Sequence, residues 1–442
     1  MQNIVDKELN RELLDFLDSC HSQYHAVANI RSILLNNGFT EIYEGIPAKT
    51  VAGGKYFVIR NNSACIAFVL PKDKPCGVLI SASHSDSPTF KVKDNPEIVI
   101  EGKYVKLNVE KYGGMLCAPW LDRPLTVAGK VLVVQGDSIV SKAVYIDKDL
   151  LIIPNVAIHM NRNANTGFEY KANVDMLPLF GGEDAKDKFL KLIAESIDVK
   201  PEDIVGTDLY LCVREKGRTI GVDDEFIASA RLDDLQCAFT SLKAFLNAKA
   251  PETHALIYMV ADNEEIGSDT KQGAGSTMLR DVLNIIAGTY GADDMETADM
   301  LANSFMLSCD NAHAVHPNHS EYADQSNRPY LNGGVVIKYG VRYATDSVSE
   351  AIFKRICALA NVPYQTYSNR SDMAGGSTLG NISNTQVALN TVDIGAAQLA
   401  MHSCYETAGA CDTKYMVDAI TAFYNSVIMH EGCGNYSVKL KK

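Results

Sequence analysis

Residues 255–268 read ALIYMVADNEEIGS, an apolar run that gives way to two adjacent glutamates, Glu264 and Glu265. A short apolar run bounded by a polar turn is the mark of a buried strand, and open α/β sheets place their chemistry where such strands end. Neighbouring side chains at a strand end point in different directions, so one glutamate can bind a metal ion while the other faces an attacking water. This assigns Glu265 as a ligand and Glu264 as general acid/base, tuned by nearby cations. The bland reading, a solvated acidic turn, is weakened by the apolar run just before it.

The same texture recurs along the chain: residues 78–83 before His84, 226–232 before Asp233, 305–309 before Asp310 and 387–394 upstream of His402. Hydrolysis with two divalent ions needs neutral imidazoles, carboxylates, one carboxylate that bridges both ions and one left free to move protons. The five positions His84, Asp233, Glu265, Asp310 and His402, with Glu264, supply each type, and the pattern predicts a two-metal hydrolase.

Each position alone is weak. His84 is one of ten histidines, but in SHSDSP it is followed by Asp86, whose carboxylate can accept the second imidazole N–H and fix the tautomer. Asp233, in ARLDDLQ, stands at a strand-to-helix junction where Asp is a common N-cap; with Asp234 beside it, one acid can cap while the other bridges. His402, in QLAMHSCYETAG, is expected at the start of a helix. His313, His316 and His319 follow Asp310 in a loop whose Pro317 precludes helical spacing, and they read as hydrogen-bonded loop or interface histidines rather than ligands.

Composition sets the frame. The 442 residues are 46% apolar and 21% charged, enough for a large core, and two domains are expected. With 41 basic against 54 acidic residues the net charge is −13 and no basic run tracks a phosphate backbone, which excludes nucleic acid as a partner. No apolar window is long enough for a membrane span, and the opening MQNIVDKELNRELLDFLD lacks a signal-peptide pattern. The 11 cysteines are odd in number and scattered in apolar runs, so they read as small core residues in a reducing cytoplasm.

Two helices are expected over residues 7–38, ended by Gly38, then strands at 56–60, 65–70 and 78–80. Residues 93–225 differ: short alternating strands with Gly113-Gly114 and Gly136-Asp137 turns, and one helix at 185–194. The pattern predicts an α/β fold in which a mixed-sheet catalytic domain with flanking helices, residues 1–92 and 226–442, is interrupted by an inserted β-rich domain, 93–225. Residues 270–303 and 318–334 read as polar loops.

HSDSP, RLDD, DNEEIGS, SCDNAHAVHPN and MHSCYETAG, in this order and with a long insertion after the first, resemble the aspartyl aminopeptidase family of metallopeptidases, over nearly the whole chain. The resemblance implies a zinc exopeptidase-like fold and two divalent ions, zinc first, with cobalt or manganese as substitutes. Asp233 would bridge, His84 and Asp310 would hold one ion, and Glu265 and His402 the other. Glu264 would take a proton from the attacking water and pass it to the leaving amine, and Asp86 would orient His84. It further implies peptide substrates with a free N-terminus, release of an acidic N-terminal residue, and an inserted dimerisation domain that builds a dodecamer from dimers. His159, in IPNVAIHMNR, would reach a neighbouring subunit's site.

Lys338, in GGVVIKYG, matches the family's substrate lysine, although alone it reads as an exposed lysine on an edge strand. Gly375 and Gly376, in MAGGSTLG, are placed where backbone must approach substrate closely, or in a simple tight turn. Asp234 stands where some relatives have asparagine and adds a charge near the site. The alternatives are an aminopeptidase of the same build with neutral or basic preference, and an inactive self-assembling shell protein; Glu264 argues against the latter, because a structural metal site needs no free base.

Overall fold

The computed structural model describes residues 5–441. A nine-stranded mixed sheet forms its centre, in the spatial order Thr40–Glu41, Lys55–Arg60, Ala64–Val69, His254–Ala261, Gly77–His84, Phe305–Cys309, Asn390–Gly395, Val335–Lys338, Tyr364–Tyr367. The three central strands are buried along their whole length, as continuous apolar runs must be when helices cover both faces of a parallel sheet. One face packs on helices Lys7–Ser19, Leu232–Asn247, Ser347–Ala360 and Asp412–Tyr424, the other on Met278–Thr289.

Register brings the strand ends together. Gly77–His84 and His254–Ala261 run parallel with His84 opposite Ala261, and Phe305–Cys309 runs parallel to Asn390–Gly395 with Cys309 opposite Ile394. His84, Glu264, Glu265 and Asp310 therefore leave the sheet at one edge.

A second, six-stranded antiparallel sheet is built wholly from residues 89–213, with its own core of Phe90, Trp120, Val127, Leu209 and Phe189. Its strand Thr89–Ile100 straddles the boundary expected at residue 93, and Arg218–Ile220 pairs instead with Phe226–Ser229 in a third, five-stranded sheet that also holds Glu406–Gly409. At both edges the pairing is with the next strand along the chain: Thr89 lies opposite Tyr112, and Arg218 opposite Ala228.

Three expectations are corrected. Residues 270–303 contain two helices, Met278–Thr289 and Asp294–Ala302: Met278, Leu279, Val282, Leu283 and Ile286 form a buried face, and Asp293 with Glu296 makes a capping box. The helix expected at 185–194 is Phe189–Ser196, preceded by a 3-10 turn at Glu183–Ala185, with Asp187 at φ 59° between them. His402 does not begin a helix; it sits at φ 65° in the turn between Ala397–Leu399 and Glu406–Gly409, and the next helix is Asp412–Tyr424.

Candidate metal centre

The ligand atoms of His84, Asp233, Asp234 and Asp310 lie within 4.8 Å of one another, as do those of Asp233, Glu265 and His402, and those of His84, Glu264 and Glu265. These groups share members, so five acids and two imidazoles from remote parts of the sequence converge in one pocket. His84 Nε2 faces Asp233 Oδ1 at 3.4 Å, and His402 Nε2 faces Asp233 Oδ2 at 3.4 Å and Glu265 Oε2 at 3.6 Å. Asp233 thus stands between the two imidazoles.

Local structure explains the placement. Past Ala261, Asn263 adopts φ 60° and Glu264–Ile266 form a 3-10 turn. Asp86 anchors that turn: its carboxylate accepts the N–H groups of Glu264 and Glu265, each at 3.2 Å, and the Tyr112 hydroxyl at 2.7 Å. The same carboxylate lies 3.4 Å from His84 Nδ1, whose nearer acceptor is the Asp86 backbone carbonyl at 3.1 Å. Asp86 therefore orients both the imidazole and the glutamate pair.

The capping role expected of the Asp233-Asp234 pair is not realised. Both residues depart from helical geometry, the helix start carries no side-chain cap, and Asp234 Oδ2 instead accepts the His84 N–H at 3.2 Å. Both carboxyls turn into the pocket.

Charge in this pocket is strongly one-sided. Burial pushes the Glu265 and Asp234 carboxyls well above the ordinary range, and raises Glu264 to about 7. Although burial opposes it, His402 and His84 hold Asp233 below that range, and Asp233 and Asp86 in turn raise His84. Asp233 Oδ1, Asp234 Oδ1 and Glu265 Oε1 are buried without a hydrogen-bond donor. Buried carboxylates crowded together with unsatisfied oxygens are costly unless cations meet them, so this donor set fits divalent metal ions of the zinc type.

Several participants were not legible in the sequence. Glu406, 1% exposed, accepts the Asp233 N–H at 3.1 Å and the His402 N–H at 2.8 Å, fixing two candidate ligands from behind. Gly113 and Gly114 of the second sheet lean over the pocket. At Gly113, φ 80°, a Cβ would meet Glu265 Cβ at 3.0 Å, and one at Gly114 would lie 3.8 Å from His402 Nδ1. The signal available was only a Gly-Gly turn.

Lys338 is not on an edge and not exposed. Its strand is flanked on both sides, the residue is 2% exposed, and its Nζ lies 3.1 Å from Asp310 Oδ2. Against the penalty of burial, Asp310 keeps its ammonium charged. Gly375 and Gly376 line a cavity of about 300 Å³ together with His313, His316, His319 and Arg370. A Cβ at Gly375 would come within 2.0 Å of Asn369 Nδ2. His159 lies exposed in an irregular stretch between the strand Ser138–Tyr145 and the short helix Ala172–Asp175, outside the ligand groups of its own chain.

A mixed sheet whose strand ends gather buried carboxylates and imidazoles in one pocket defines a metal-dependent hydrolase. A profile of the family described as aminopeptidase I zinc metalloprotease (M18) matches residues 16–424, and the chain belongs to that family. It is 44% identical over 431 residues to a "Probable M18 family aminopeptidase 2" of Clostridium acetobutylicum, covering 95% of this chain and 99% of that one. A relative of the same description from Pseudomonas paraeruginosa is 39% identical, covering 95% and 98%. Among solved structures, a chain in the complex of Ape4 and Nbr1 superposes with a TM-score of 0.91 at 35% identity, over 95% of this chain and 85% of that one. The mApe1 dodecamer of Saccharomyces cerevisiae gives 0.82 at 26%, over 94% and 95%. The protein is an M18 family aminopeptidase. Among the described residues no helix is long and apolar enough to cross a membrane.

Proposed function

We propose that this aminopeptidase works with two zinc ions and releases N-terminal Asp or Glu from peptides. Asp233 would be common to both ions, His84 and Asp310 would hold one, and Glu265 and His402 the other; cobalt or manganese would substitute for zinc. The observation that carries this reading is that two groups of ligand atoms have one carboxylate, Asp233, in common. Ions bound there polarise the scissile carbonyl and lower the proton affinity of the attacking water.

The chain's own residues do the rest. Glu264, beside His84 and Glu265, is placed to take the water's proton and hand it to the leaving amine. Asp86 holds His84 and the glutamate turn in place. Lys338 supplies the positive charge for an acidic substrate side chain, and its pairing with Asp310 ties that recognition to the metal pocket. Gly375 and Gly376 border the substrate cavity. His159, exposed in its own chain, contacts substrate in a neighbouring subunit, within a dodecamer built from dimers that are joined through residues 93–225; the dodecameric mApe1 relative supports this assembly. The cysteines are all free, which suits a reducing cytoplasm.

A panel of aspartyl, glutamyl, leucyl and lysyl N-terminal substrates, run with zinc-loaded protein and with Lys338→Ala, tests the reading. Acidic substrates are cleaved fastest, and Lys338→Ala lowers kcat/KM for them more than for leucyl substrates. Faster leucyl or lysyl cleavage, with the ratio unmoved by Lys338→Ala, refutes the acidic preference.

A further inference from the structure

The edge of the main sheet remote from the metal centre carries a second group of metal-ligating side chains. Cys76 Sγ lies 3.8 Å from Met429 Sδ and 3.9 Å from each ring nitrogen of His254. Cys76 immediately precedes the strand Gly77–His84, His254 opens the strand His254–Ala261, and Met429 belongs to the C-terminal hairpin of Ser426–Gly432 and Asn435–Leu440. His254 is paired with Gly77 at one end of the ladder and Ala261 with His84 at the other. The rise of about 3.3 Å per residue puts roughly 23 Å of strand between this cluster and the catalytic edge.

The imidazole is set up as a ligand. His254 Nε2 lies 3.0 Å from the Ile428 carbonyl, a contact that requires an N–H, so the ring proton sits on Nε2 and Nδ1 keeps its lone pair. Nδ1 is met by the Thr253 hydroxyl at 3.0 Å, a rotor that can turn away, and by Cys76 Sγ at 3.9 Å. Burial lowers the His254 pKa to about 4, so the ring is neutral at physiological pH. Fixing of one ring nitrogen by a carbonyl is the arrangement that orients metal-binding histidines. His254 is buried while Cys76 and Met429 are half-buried, which leaves the sulfurs reachable from solvent.

We propose that Cys76, His254 and Met429 form a binding site for a soft monovalent cation, Cu(I) or Ag(I), separate from the catalytic centre. A thiolate, a thioether and an imidazole select soft ions, and the trio contains no carboxylate to favour the hard divalent cations. Two sulfurs 3.8 Å apart can share one ion with bonds of about 2.3 Å to each, with a small rotation of the Cys76 side chain presenting the ion to Nδ1. On binding, the thiol proton is displaced to solvent and the ion keeps its oxidation state. The ion fastens the C-terminal hairpin to the sheet edge, so it stabilises the fold without entering the peptidase reaction.

The test uses the zinc-loaded protein with the exposed Cys433 replaced, Cys433→Ser, as parent, because that thiol would compete. Cu(I), delivered from a chromophoric Cu(I) chelator, is titrated into the parent, Met429→Leu and Cys76→Ser. The parent takes up one tightly held ion with a rise in Tm and no change in kcat/KM. Met429→Leu, which preserves volume and every thiol, weakens uptake by about tenfold or more, the scale of a lost metal-site contact. Cys76→Ser abolishes it. X-ray absorption of the Cu(I)-loaded parent shows mixed sulfur and nitrogen neighbours. Undiminished affinity in both variants, a sulfur-only shell, or uptake that proceeds in step with loss of peptidase activity each overturns the proposal.

Discussion

Asp86→Asn isolates the residue that joins the two halves of the metal centre. Its two carboxylate oxygens serve three donors, the N–H groups of Glu264 and Glu265 at 3.2 Å and the Tyr112 hydroxyl at 2.7 Å, and lie 3.4 Å from His84 Nδ1. An amide keeps one acceptor oxygen and turns the other position into a donor. The least damaging orientation puts the new NH2 toward Tyr112, whose hydroxyl can turn to accept, but it then opposes the Glu265 N–H. One buried backbone donor is left unsatisfied, at a cost of about 1–3 kcal/mol, and the remaining hydrogen bonds lose their charge assistance, roughly another 1 kcal/mol. At about 1.4 kcal/mol per tenfold, a total of about 2–4 kcal/mol is a loss of roughly 30- to 700-fold, spread over zinc affinity and kcat/KM. Zinc competition against a chromophoric chelator measures the first, rates at saturating zinc the second, and circular dichroism checks the fold. Tyr112→Phe, which removes one donor and leaves the carboxylate charged, loses much less. A folded Asp86→Asn enzyme with wild-type zinc affinity and wild-type kcat/KM would show that this carboxylate does not position the site.

Glu264→Gln retains its metal, by metal analysis, while kcat falls by about 10²–10⁴, the range for removal of a general base; a fully active variant excludes Glu264 from proton transfer. Chelation abolishes turnover and added zinc, cobalt or manganese restores it, because carboxylate and imidazole ligands discriminate weakly among divalent ions; activity that survives exhaustive chelation contradicts a metal mechanism. Gly113→Ala, at φ 80° and facing Glu265 Cβ, incurs about 1–2 kcal/mol of backbone strain and displaces Glu265, so both Tm and zinc affinity fall; an unchanged Tm would mean the turn relaxes freely. His254 has a folded pKa of about 4 against 6.5 for the free side chain, so the folded state binds fewer protons between those values. Its contribution is complete above pH 6.5 and declines as pH falls toward 4, at up to about 1.4 kcal/mol per unit. Denaturation curves across that window are flatter for His254→Gln, which keeps a donor for Ile428; identical slopes would remove His254 as the titrating group.

What the sequence determined by itself is the set of buried strands and the polar residue that ends each one. Continuous apolar runs are readable because a strand covered on both faces has no alternation to disguise it, which is why 305–309 is a strand in both readings and why Glu264, Glu265 and Asp310 were expected at a strand end. Helices over 278–302 were missed where Gly- and Asp-rich flanks masked a short apolar face that only burial against Ile66, Ile80 and Met306 makes decisive. His402 was misplaced because a positive-φ turn has little signature in a non-glycine residue. Glu406, Gly113 and the burial of Lys338 belong to the tertiary structure alone. Each depends on pairings between segments far apart in the chain, such as Phe226–Ser229 with Glu406–Gly409, and a hydrogen bond from Asp233 to Glu406 cannot be inferred until those strands are side by side. Local sequence fixes which side chains leave a strand end, whereas strand order and register decide which of them share a pocket.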